Sequence, residues 1–439
     1  MSEATADGSF GGAVESAGPT RHGLNPSDIA VGVVIGRTSE FFDFFVFAIA
    51  SVLVFPRLVF PFVDQVTGTL YSFALFALAF LARPLGTWLF MTIDRRHGKG
   101  TKLTIALFLL GTSTVVVAFL PSYEQVGVFS IWLLALFRIG QGIAIGGTWD
   151  GLSSLLAMNA PEKHSGWWAM VPQLGAPFGL IVASGLFAFF HGFLPDEEFM
   201  SWGWQFPFFV AFAINVVALF SRLRIVATRE YVYQFQRREL QATRVRETFR
   251  AYGKVIIVGA FAPLASFALF HMVTVFPLSW VELYSGESVT RFLVIEGVGA
   301  AVGAIAVVAS GLLADRYGRR TLLAATAFMI AIFSGFAPSL LAQGEAGEIV
   351  YMLSGFIILG LSFGQCSGVV ATNFPTQYRY TGSAIVSDLA WLFGAGLSPF
   401  VALYLTEKLG LIAAGGYLLS GAVCTLLALR FNKMLDYRD

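Results

Sequence analysis

The chain reads Gly-Leu-Leu-Ala-Asp-Arg-Tyr-Gly-Arg-Arg at residues 311–320, at the end of a long apolar run. A related stretch, Asp-Arg-Arg-His-Gly-Lys, occupies residues 94–99 and also follows an apolar run. A second pair of similar loops lies at residues 161–166 and 375–382, at nearly the same separation. Many transporters are built from internal repeats of this kind. The repetition predicts two similar halves in parallel orientation, joined by one long charged linker.

The composition is that of a membrane protein. Hydrophobic residues make up 56% of the chain and charged residues 13%, with a mean hydropathy of +0.73, whereas a soluble domain carries about 25% charge. Twelve runs reach the roughly 20 apolar residues that cross a bilayer as a helix. They are continuous and lack the alternation of barrel strands, so we expect helices. The predicted spans lie near residues 29–55, 66–93, 103–120, 126–157, 166–190, 203–221, 254–283, 289–314, 320–342, 349–373, 381–406 and 411–430.

The basic residues are distributed unevenly between the loops. Successive loops alternate between the two sides of the membrane. Most of the 28 Lys and Arg fall in the loops of one side, and the loops of the other side carry only Arg57, Arg291 and Lys408. Positive loops stay on the cytoplasmic side. Both termini are therefore predicted to be cytoplasmic, and the number of spans to be even.

The segments outside the spans divide the chain. We expect a disordered cytoplasmic tail at 1–28, a first six-helix bundle at 29–221, a cytoplasmic linker at 222–253, a second bundle at 254–430 and a short cytoplasmic tail at 431–439. The Gly-, Ala- and Ser-rich first tail has no signal-peptide pattern. The basic linker also carries glutamates, so we interpret it as a solvated helix on the inner leaflet rather than a nucleic-acid site.

No motif for bond-breaking chemistry occurs. Cys366 and Cys424 both fall inside predicted spans, so we expect neither a disulfide nor a cysteine metal site. A phosphate-binding loop and a metal-binding His-Glu-x-x-His motif are both lacking. We therefore predict a protein that is not an enzyme and uses no cofactor, metal or ATP.

The loop at 311–320 matches the pattern G-x-x-x-D-R-x-G-R-R of the major facilitator superfamily. Four further stretches, three in the first half and one in the second, resemble the metabolite:proton symporter family of that superfamily. They are EFFDFF at 40–45, RPLG at 83–86, RIGQG with a following Gly-Gly at 138–147, and FPTQYRYTG at 374–382. The resemblance covers nearly all of residues 29–430. It implies an all-α integral membrane protein of the bacterial cytoplasmic membrane, with twelve transmembrane helices in two pseudo-symmetric six-helix bundles.

This chain also departs from the family pattern. Thr148 and Gln205 stand where the family has Glu in its fourth span and Arg at the start of its sixth, and Asn373 replaces a tenth-span acid. Loss of both members of an ion pair is tolerable, whereas loss of one is costly. Conversely, Asp150 and Asp388 stand where the family usually has Gly and Asn. These changes weaken any transfer of the family's substrates.

Charged residues within the spans are the candidate coupling sites, because they are expensive in hydrocarbon and mark ion or substrate paths. Glu40 and Asp43 share one face of the first span and repel each other at low dielectric, which favours a transferable proton on one of them. We predict proton coupling at Glu40, Asp43 or Asp388, with the first-span pair favoured. The alternative is that Arg138 or Arg83 permanently neutralises each carboxylate.

Arg138 offers a planar fork that suits a carboxylate, although it could instead be a fixed partner of Glu40 or Asp43. The predicted substrate-binding residues are Arg138, Arg83, Gln141, Gln173, Gln365 and Asn373. His271 is interpreted as a hydrogen-bonded spacer between helices. A carboxylate in the cavity requires a cationic partner.

The repeated loops are the predicted gate, since an Asp at a helix end can pair with neighbouring bases in one access state and release them in the other. The gating residues are Asp315, Arg316, Arg319, Arg320, Asp94 and Arg95. Together these features predict a monomeric, proton-coupled symporter of a small organic acid or zwitterion. Proton-driven export by antiport is the alternative, kept open by the Gly-Ala-Pro stretch at 175–177, and a non-transporting sensor ranks third.

Overall fold

The protein is described by a computed structural model that covers residues 26–148, 153, 156, 161–228, 241–366 and 374–431. All regular secondary structure in these ranges is helical. Twelve long helices occur, and we number them as spans 1 to 12 in chain order. They are Pro26–Leu53, the two parts of Gln65–Val117, Phe129–Gly147, Ser165–Phe193, Gly203–Val226, Leu264–Ser285, Val289–Tyr317, Arg319–Leu341, Glu345–Phe363, Gln377–Leu409 and Ile412–Phe431. The shorter helices are Phe55–Leu58, Tyr123–Val126, Asp196–Ser201 and Val245–Phe261.

Ten helices in the described ranges are long and apolar enough to cross a membrane. One of these, Gln65–Val117, has 53 residues and breaks at Gly98, so it contains spans 2 and 3. At 1.5 Å per residue it would otherwise measure about 80 Å, far more than one bilayer. Pro26–Leu53 completes the twelve and differs from the others by three charged residues near its middle.

The two repeated loops turn at matching glycines. Gly98 and Gly318 both have φ of 83°, a left-handed region that residues with a side chain rarely occupy. Each glycine separates two antiparallel spans, 2 from 3 and 8 from 9. Asp315 lies three residues before Gly318, whereas Asp94 lies four residues before Gly98. The two acids therefore occupy different positions relative to the turn.

Each half packs its spans closely through small residues. A Cβ on Gly142 would lie 2.3 Å from the Ala79 carbonyl oxygen, and one on Gly360 would lie 2.5 Å from that of Gly303. Such close approach is how membrane helices gain packing contacts where the hydrophobic effect offers none. Spans 2 and 4 of the first half thus meet as spans 8 and 10 of the second half do.

The halves meet where span 2 packs against span 11 and span 5 against span 8. One end of the bundle carries the loops after spans 2 and 8 together with the starts of spans 5 and 11. We call it the basic face, because the Lys and Arg residues of 95–102 and 316–320 lie there. The other end is the opposite face.

Helix boundaries differ from the sequence expectation by one or more residues at most spans, and the differences at spans 6 and 7 matter most. The seventh was predicted as one helix over 254–283, but Val245–Phe261 ends before Pro263 and the span restarts at Leu264. Proline lacks the N–H that would continue the helical ladder. Span 6 runs on to Val226 rather than ending at 221, and this extension carries Arg222 into the interior.

Candidate functional site

Glu40 of span 1 is held by two arginines. Its Oε2 accepts a hydrogen bond from Arg37 Nη1 at 2.5 Å, and its Oε1 accepts one from Arg222 Nη2 of span 6 at 2.6 Å. Both distances are those of charge-assisted bonds. The partners of Glu40 are therefore Arg37 and Arg222, and not the Arg138 or Arg83 that the sequence suggested.

Asp43 lies one turn further along span 1 and has a different environment. Asn215 Nδ2 of span 6 donates to its Oδ2 at 2.6 Å, and Ser39 Oγ donates to Asn215 Oδ1 at 2.5 Å, which fixes the orientation of the side-chain amide. Its other oxygen, Oδ1, is buried and has no hydrogen bond of full geometry in the described part of the chain, although the Thr114 hydroxyl also interacts with this carboxylate. Asp43 therefore has a free acceptor position for a proton.

Arg138 of span 4 is 1% exposed and points into the centre of the protein. Its Nε donates to the Phe76 carbonyl oxygen at 3.1 Å, and its Nη1 donates to Gln141 Oε1 at 3.0 Å. The guanidinium carbon lies 4.1 Å from the ring centroid of Phe47 and 4.6 Å from that of Phe76. Its Nη2 is buried without a partner among the described residues.

The other buried bases differ from Arg138, because each has an acidic partner. Arg83 Nε of span 2 lies 2.7 Å from Asp388 Oδ1 of span 11, so the two predicted site residues form one ion pair. Lys99 and Lys102 both approach Asp94, as described below. Arg138 forms no ion pair with any described acid. It is therefore the buried guanidinium best placed to bind a substrate anion.

Aromatic rings from both halves fill the space around Arg138. We call this set the central aromatic cluster: Phe41, Phe44, Phe45, Phe76 and Phe80 from the first half, and Phe267, Phe270, Phe363 and Trp391 from the second. Trp391 begins a wide helical turn, Trp391–Gly396, within span 11. Wide turns of this kind are frequent at functional sites. The cluster separates the two faces of the protein.

Asp315, a predicted gating residue, joins the halves at the basic face. It accepts hydrogen bonds from the backbone N–H of Gly166 at 2.7 Å and of Trp167 at 3.2 Å. Both amides lie at the start of span 5, where the helix dipole favours a negative charge. Gln365, just after the end of span 10, joins this contact, since its Nε2 donates to the Gly166 carbonyl oxygen at 3.2 Å and its Oε1 accepts from Arg319 Nε at 3.3 Å. Gln365 thus lies in the gate and not in the centre.

The equivalent acid of the first half, Asp94, makes the second contact across the halves. Its Oδ2 accepts a hydrogen bond from Tyr380 Oη of span 11 at 3.1 Å and lies 3.3 Å from Lys99 Nζ. Lys102 Nζ also donates to Tyr380 Oη, at 2.9 Å. Because the first-half loop is shifted by one residue, Asp94 contacts a tyrosine hydroxyl where Asp315 contacts backbone amides.

The remaining gate arginines have separate contacts. Arg95 Nη1 donates to the Thr243 carbonyl oxygen at 3.1 Å, which ties the linker end to span 2. Arg320 Nη2 donates to the Leu429 carbonyl oxygen at 2.9 Å, within the second half. Arg316 lies over the ring of Tyr317.

Two predicted substrate-binding residues remain. Gln173 of span 5 is 5% exposed, and its Oε1 has no hydrogen-bond partner in the described part of the chain. Asn373, like Asp150, lies outside the described residues. Two further residues were not predicted: Arg222, which is hidden in a basic run, and Asn215. The single polar side chain of the apolar run 206–220 is Asn215, a signal that could have found it.

The opposite face is also joined across the halves. Gln65 Nε2 of span 2 donates to Glu282 Oε1 of span 7 at 2.7 Å, and His191 Nδ1 of span 5 lies 2.9 Å from Thr290 Oγ1 of span 8. Among the described residues, contacts between the halves are thus found at both faces. Alternating access requires each set of contacts to open in turn.

Comparison with known proteins gives the same fold. The family model of the Major Facilitator Superfamily matches residues 34–399. The Inner membrane metabolite transport protein YhjE of Escherichia coli is 35% identical over 91% of this chain and 92% of its own, and the Shikimate transporter of Escherichia coli is 29% identical over 85% and 86%. The solved structure of the proton:xylose symporter XylE bound to 6-bromo-6-deoxy-D-glucose has a TM-score of 0.71 at 17% identity and covers 94% of this chain and 96% of that one.

Proposed function

Because the chain belongs to the major facilitator superfamily, whose fold and metabolite-transporting relatives make it a multi-pass transporter, we propose that it carries a small organic acid together with a proton. The substrate binds in the centre, at Arg138, and the proton binds at Asp43. The basic face is cytoplasmic, both termini lie on that side, and the working unit is a monomer in a bacterial-type inner membrane. The charge bias of the loops and the relative named as an inner membrane protein support this placement.

One observation carries the proposal: two groups of opposite charge in the buried centre each keep an unused polar atom. Asp43 Oδ1 and Arg138 Nη2 have no hydrogen bond of full geometry among the described residues. Buried polar groups almost always have partners, and an orphan is costly. A proton on Asp43 removes the charge of its carboxylate, and a substrate carboxylate gives Arg138 Nη2 an acceptor. The site is therefore incomplete without its two ligands.

Charge balance couples the two ligands. In the empty site the Arg138 cation is compensated by the Asp43 anion. A substrate carboxylate that binds Arg138 adds a second negative charge in a low-dielectric space, and a proton on Asp43 removes it. Occupied by both, the centre keeps the charge that it had when empty. A stoichiometry of one proton for each substrate carboxylate therefore leaves the net charge of the site unchanged.

Glu40 serves a different purpose in this mechanism. Since Arg37 and Arg222 neutralise it with short bonds, it anchors span 1 to span 6 and does not exchange protons. Asp388, paired with Arg83, likewise holds span 11 against span 2. Of the three predicted coupling carboxylates, Asp43 alone lacks an ion pair within the described ranges, and we assign the coupling proton to it.

The test is uptake of a panel of labelled organic acids into proteoliposomes, with and without an inward proton gradient. We expect accumulation only with the gradient, and loss of substrate binding in Arg138→Gln with retained folding. Arg57→Gln, at an exposed arginine on the opposite face, is the matched control. Normal substrate binding by Arg138→Gln would contradict the proposal. If vesicles preloaded with substrate lose it under an inward proton gradient, the protein is an antiporter and not a symporter.

A further inference from the structure

His271 of span 7 contributes a further unpartnered polar side chain to the centre, from the other half of the protein. Its side chain is fully buried, and neither Nδ1 nor Nε2 has a hydrogen-bond partner among the described residues. The sequence had suggested a hydrogen-bonded spacer, which requires a partner that is not found. The imidazole instead lies in the central aromatic cluster, stacked on Phe44 with centroids 5.0 Å apart.

His271 and Arg138 lie against the same ring. The His271 ring centroid is 5.5 Å from that of Phe76, and the Arg138 guanidinium carbon is 4.6 Å from it. A molecule held by Arg138 Nη2 therefore lies within reach of the imidazole. Because Arg138 belongs to the first half and His271 to the second, a ligand that satisfies both joins the halves.

The rings that contact His271, among them Phe80, Phe270 and Trp391, indicate the shape of the ligand. Two ring pairs run nearly parallel across the interface: Phe45 with Phe270, with centroids 5.7 Å apart at 14°, and Phe80 with Trp391, with centroids 6.1 Å apart at 19°. When such a pair separates, a flat ring can enter and keep the same stacking contacts. An aliphatic chain would lose them.

The charges around Arg138 restrict the charge that a flat ligand can carry. Arg138 is the buried guanidinium without an acidic partner in the described ranges, so the site compensates one carboxylate and not two. Aromatic faces also bind quaternary ammonium groups, but the guanidinium already covers Phe47 and Phe76 and would repel a second cation. A single carboxylate on an aromatic or unsaturated ring fits both features.

We propose that His271 is the specificity-determining residue of the second half, and that the substrate is a ring monocarboxylate with a hydroxyl group that hydrogen-bonds to the imidazole. This rests on the proposed function, since it assumes that the carboxylate binds Arg138. A site built to hydrogen-bond a hydroxyl discriminates strongly against an analogue that lacks it, because its polar group is then left unpaired.

The experiment measures binding to the purified full-length protein by calorimetry, with benzoate, 3-hydroxybenzoate, 4-hydroxybenzoate, succinate and glycine betaine as probes. We expect a hydroxybenzoate to bind about tenfold or more tightly than benzoate, as the loss of one buried hydrogen bond implies. His271→Phe should remove this difference between hydroxybenzoate and benzoate. His271→Asn, which keeps a hydrogen-bonding group, should retain part of it.

His191→Phe is the matched control, because His191 lies in span 5 near the opposite face and contacts Thr290. Undiminished preference for hydroxybenzoate in His271→Phe would overturn the inference, as would tighter binding of succinate or glycine betaine than of every ring acid by the unaltered protein. The second comparison needs no variant, so a folding failure of His271→Phe leaves the inference open to refutation. If an aliphatic acid is concentrated with dependence on Arg138 and Asp43, only this inference fails; if no acid is concentrated, the proposed function fails.

Discussion

Arg83 of span 2 and Asp388 of span 11 form an ion pair across the two halves, with 2.7 Å between Nε and Oδ1. Arg83 Nη2 also donates to the neighbouring Ser387 Oγ at 3.2 Å. Both charged side chains are buried. The sequence assigned them to separate tasks, substrate binding and proton coupling, whereas the geometry makes them partners at a surface that must rearrange during transport.

Asp388→Asn should destabilise the protein by about 3–5 kcal/mol, because removal of one partner leaves the other charge buried and unpaired. The double variant Arg83→Gln with Asp388→Asn should recover much of this loss. Thermal unfolding in detergent measures both. Equal stability of the single variant and the parent would show that the pair contributes nothing. If Asp388→Asn retained stability but lost proton-driven uptake, Asp388 and not Asp43 would be the coupling site.

Asp315→Asn should open the basic face, because a neutral amide is a weaker acceptor for the Gly166 and Trp167 N–H groups than a carboxylate is. The chain contains its own reporter, since Cys366 is 2% exposed and follows the gate residue Gln365. In a Cys424→Ser background, maleimide should label Cys366 several-fold faster in the variant.

Asp64→Asn is the matched control for this labelling, because Asp64 caps the start of span 2 at the opposite face through Thr67. Unchanged labelling of Cys366 together with unchanged transport in Asp315→Asn would remove Asp315 from the gate.

Glu40→Gln should behave as a structural variant. It would leave Arg37 and Arg222 without their shared carboxylate, and we expect a loss of stability of about 3–5 kcal/mol, as for other buried pairs. In correctly folded protein, uptake should still respond to the proton gradient. Measuring the unfolding temperature and the ratio of uptake with and without the gradient separates the two effects. A stable Glu40→Gln protein that has lost gradient dependence would contradict the assignment.

Transport of a monocarboxylate with one proton moves no net charge. Accumulation should therefore follow the pH gradient, about tenfold for each pH unit because one unit corresponds to about 1.4 kcal/mol. It should not respond to a potassium diffusion potential set with valinomycin. A zwitterion with one proton would instead gain about 2.3 kcal/mol from 100 mV, or about fifty-fold accumulation. A large response of accumulation to the membrane potential would favour a zwitterionic substrate. Protein-free liposomes are the control for passive entry of the acid.

The fold could be predicted because its determinants are local. Apolar runs give the spans, and the paired loops ending in Gly98 and Gly318 give the duplication, since only a glycine tolerates that turn in each half. Span boundaries were less predictable where a single residue decides them, as Pro263 does for span 7. The overlooked continuation of span 6 mattered most, because it hid Arg222 in what was interpreted as a linker.

The sequence located the buried charges but not their pairings. Charges inside the spans identified Glu40, Asp43, Arg83 and Arg138, because burial of charge is expensive wherever it occurs. Which base meets which acid depends on residues far apart in sequence, such as Glu40 with Arg222, and periodicity carries no information about them. His271 could not be judged from sequence for the same reason: its significance lies in the partners that it lacks.

The central claim is that Asp43 carries the coupled proton while Arg138 holds the carboxylate. The most direct measurement compares Asp43→Asn with the parent for proton-driven uptake and for counterflow, using the best acid of the panel. We predict that Asp43→Asn exchanges labelled for unlabelled substrate but no longer concentrates it, because a permanently neutral residue mimics the protonated state. An Asp43→Asn protein that still concentrates substrate under a proton gradient would contradict the account.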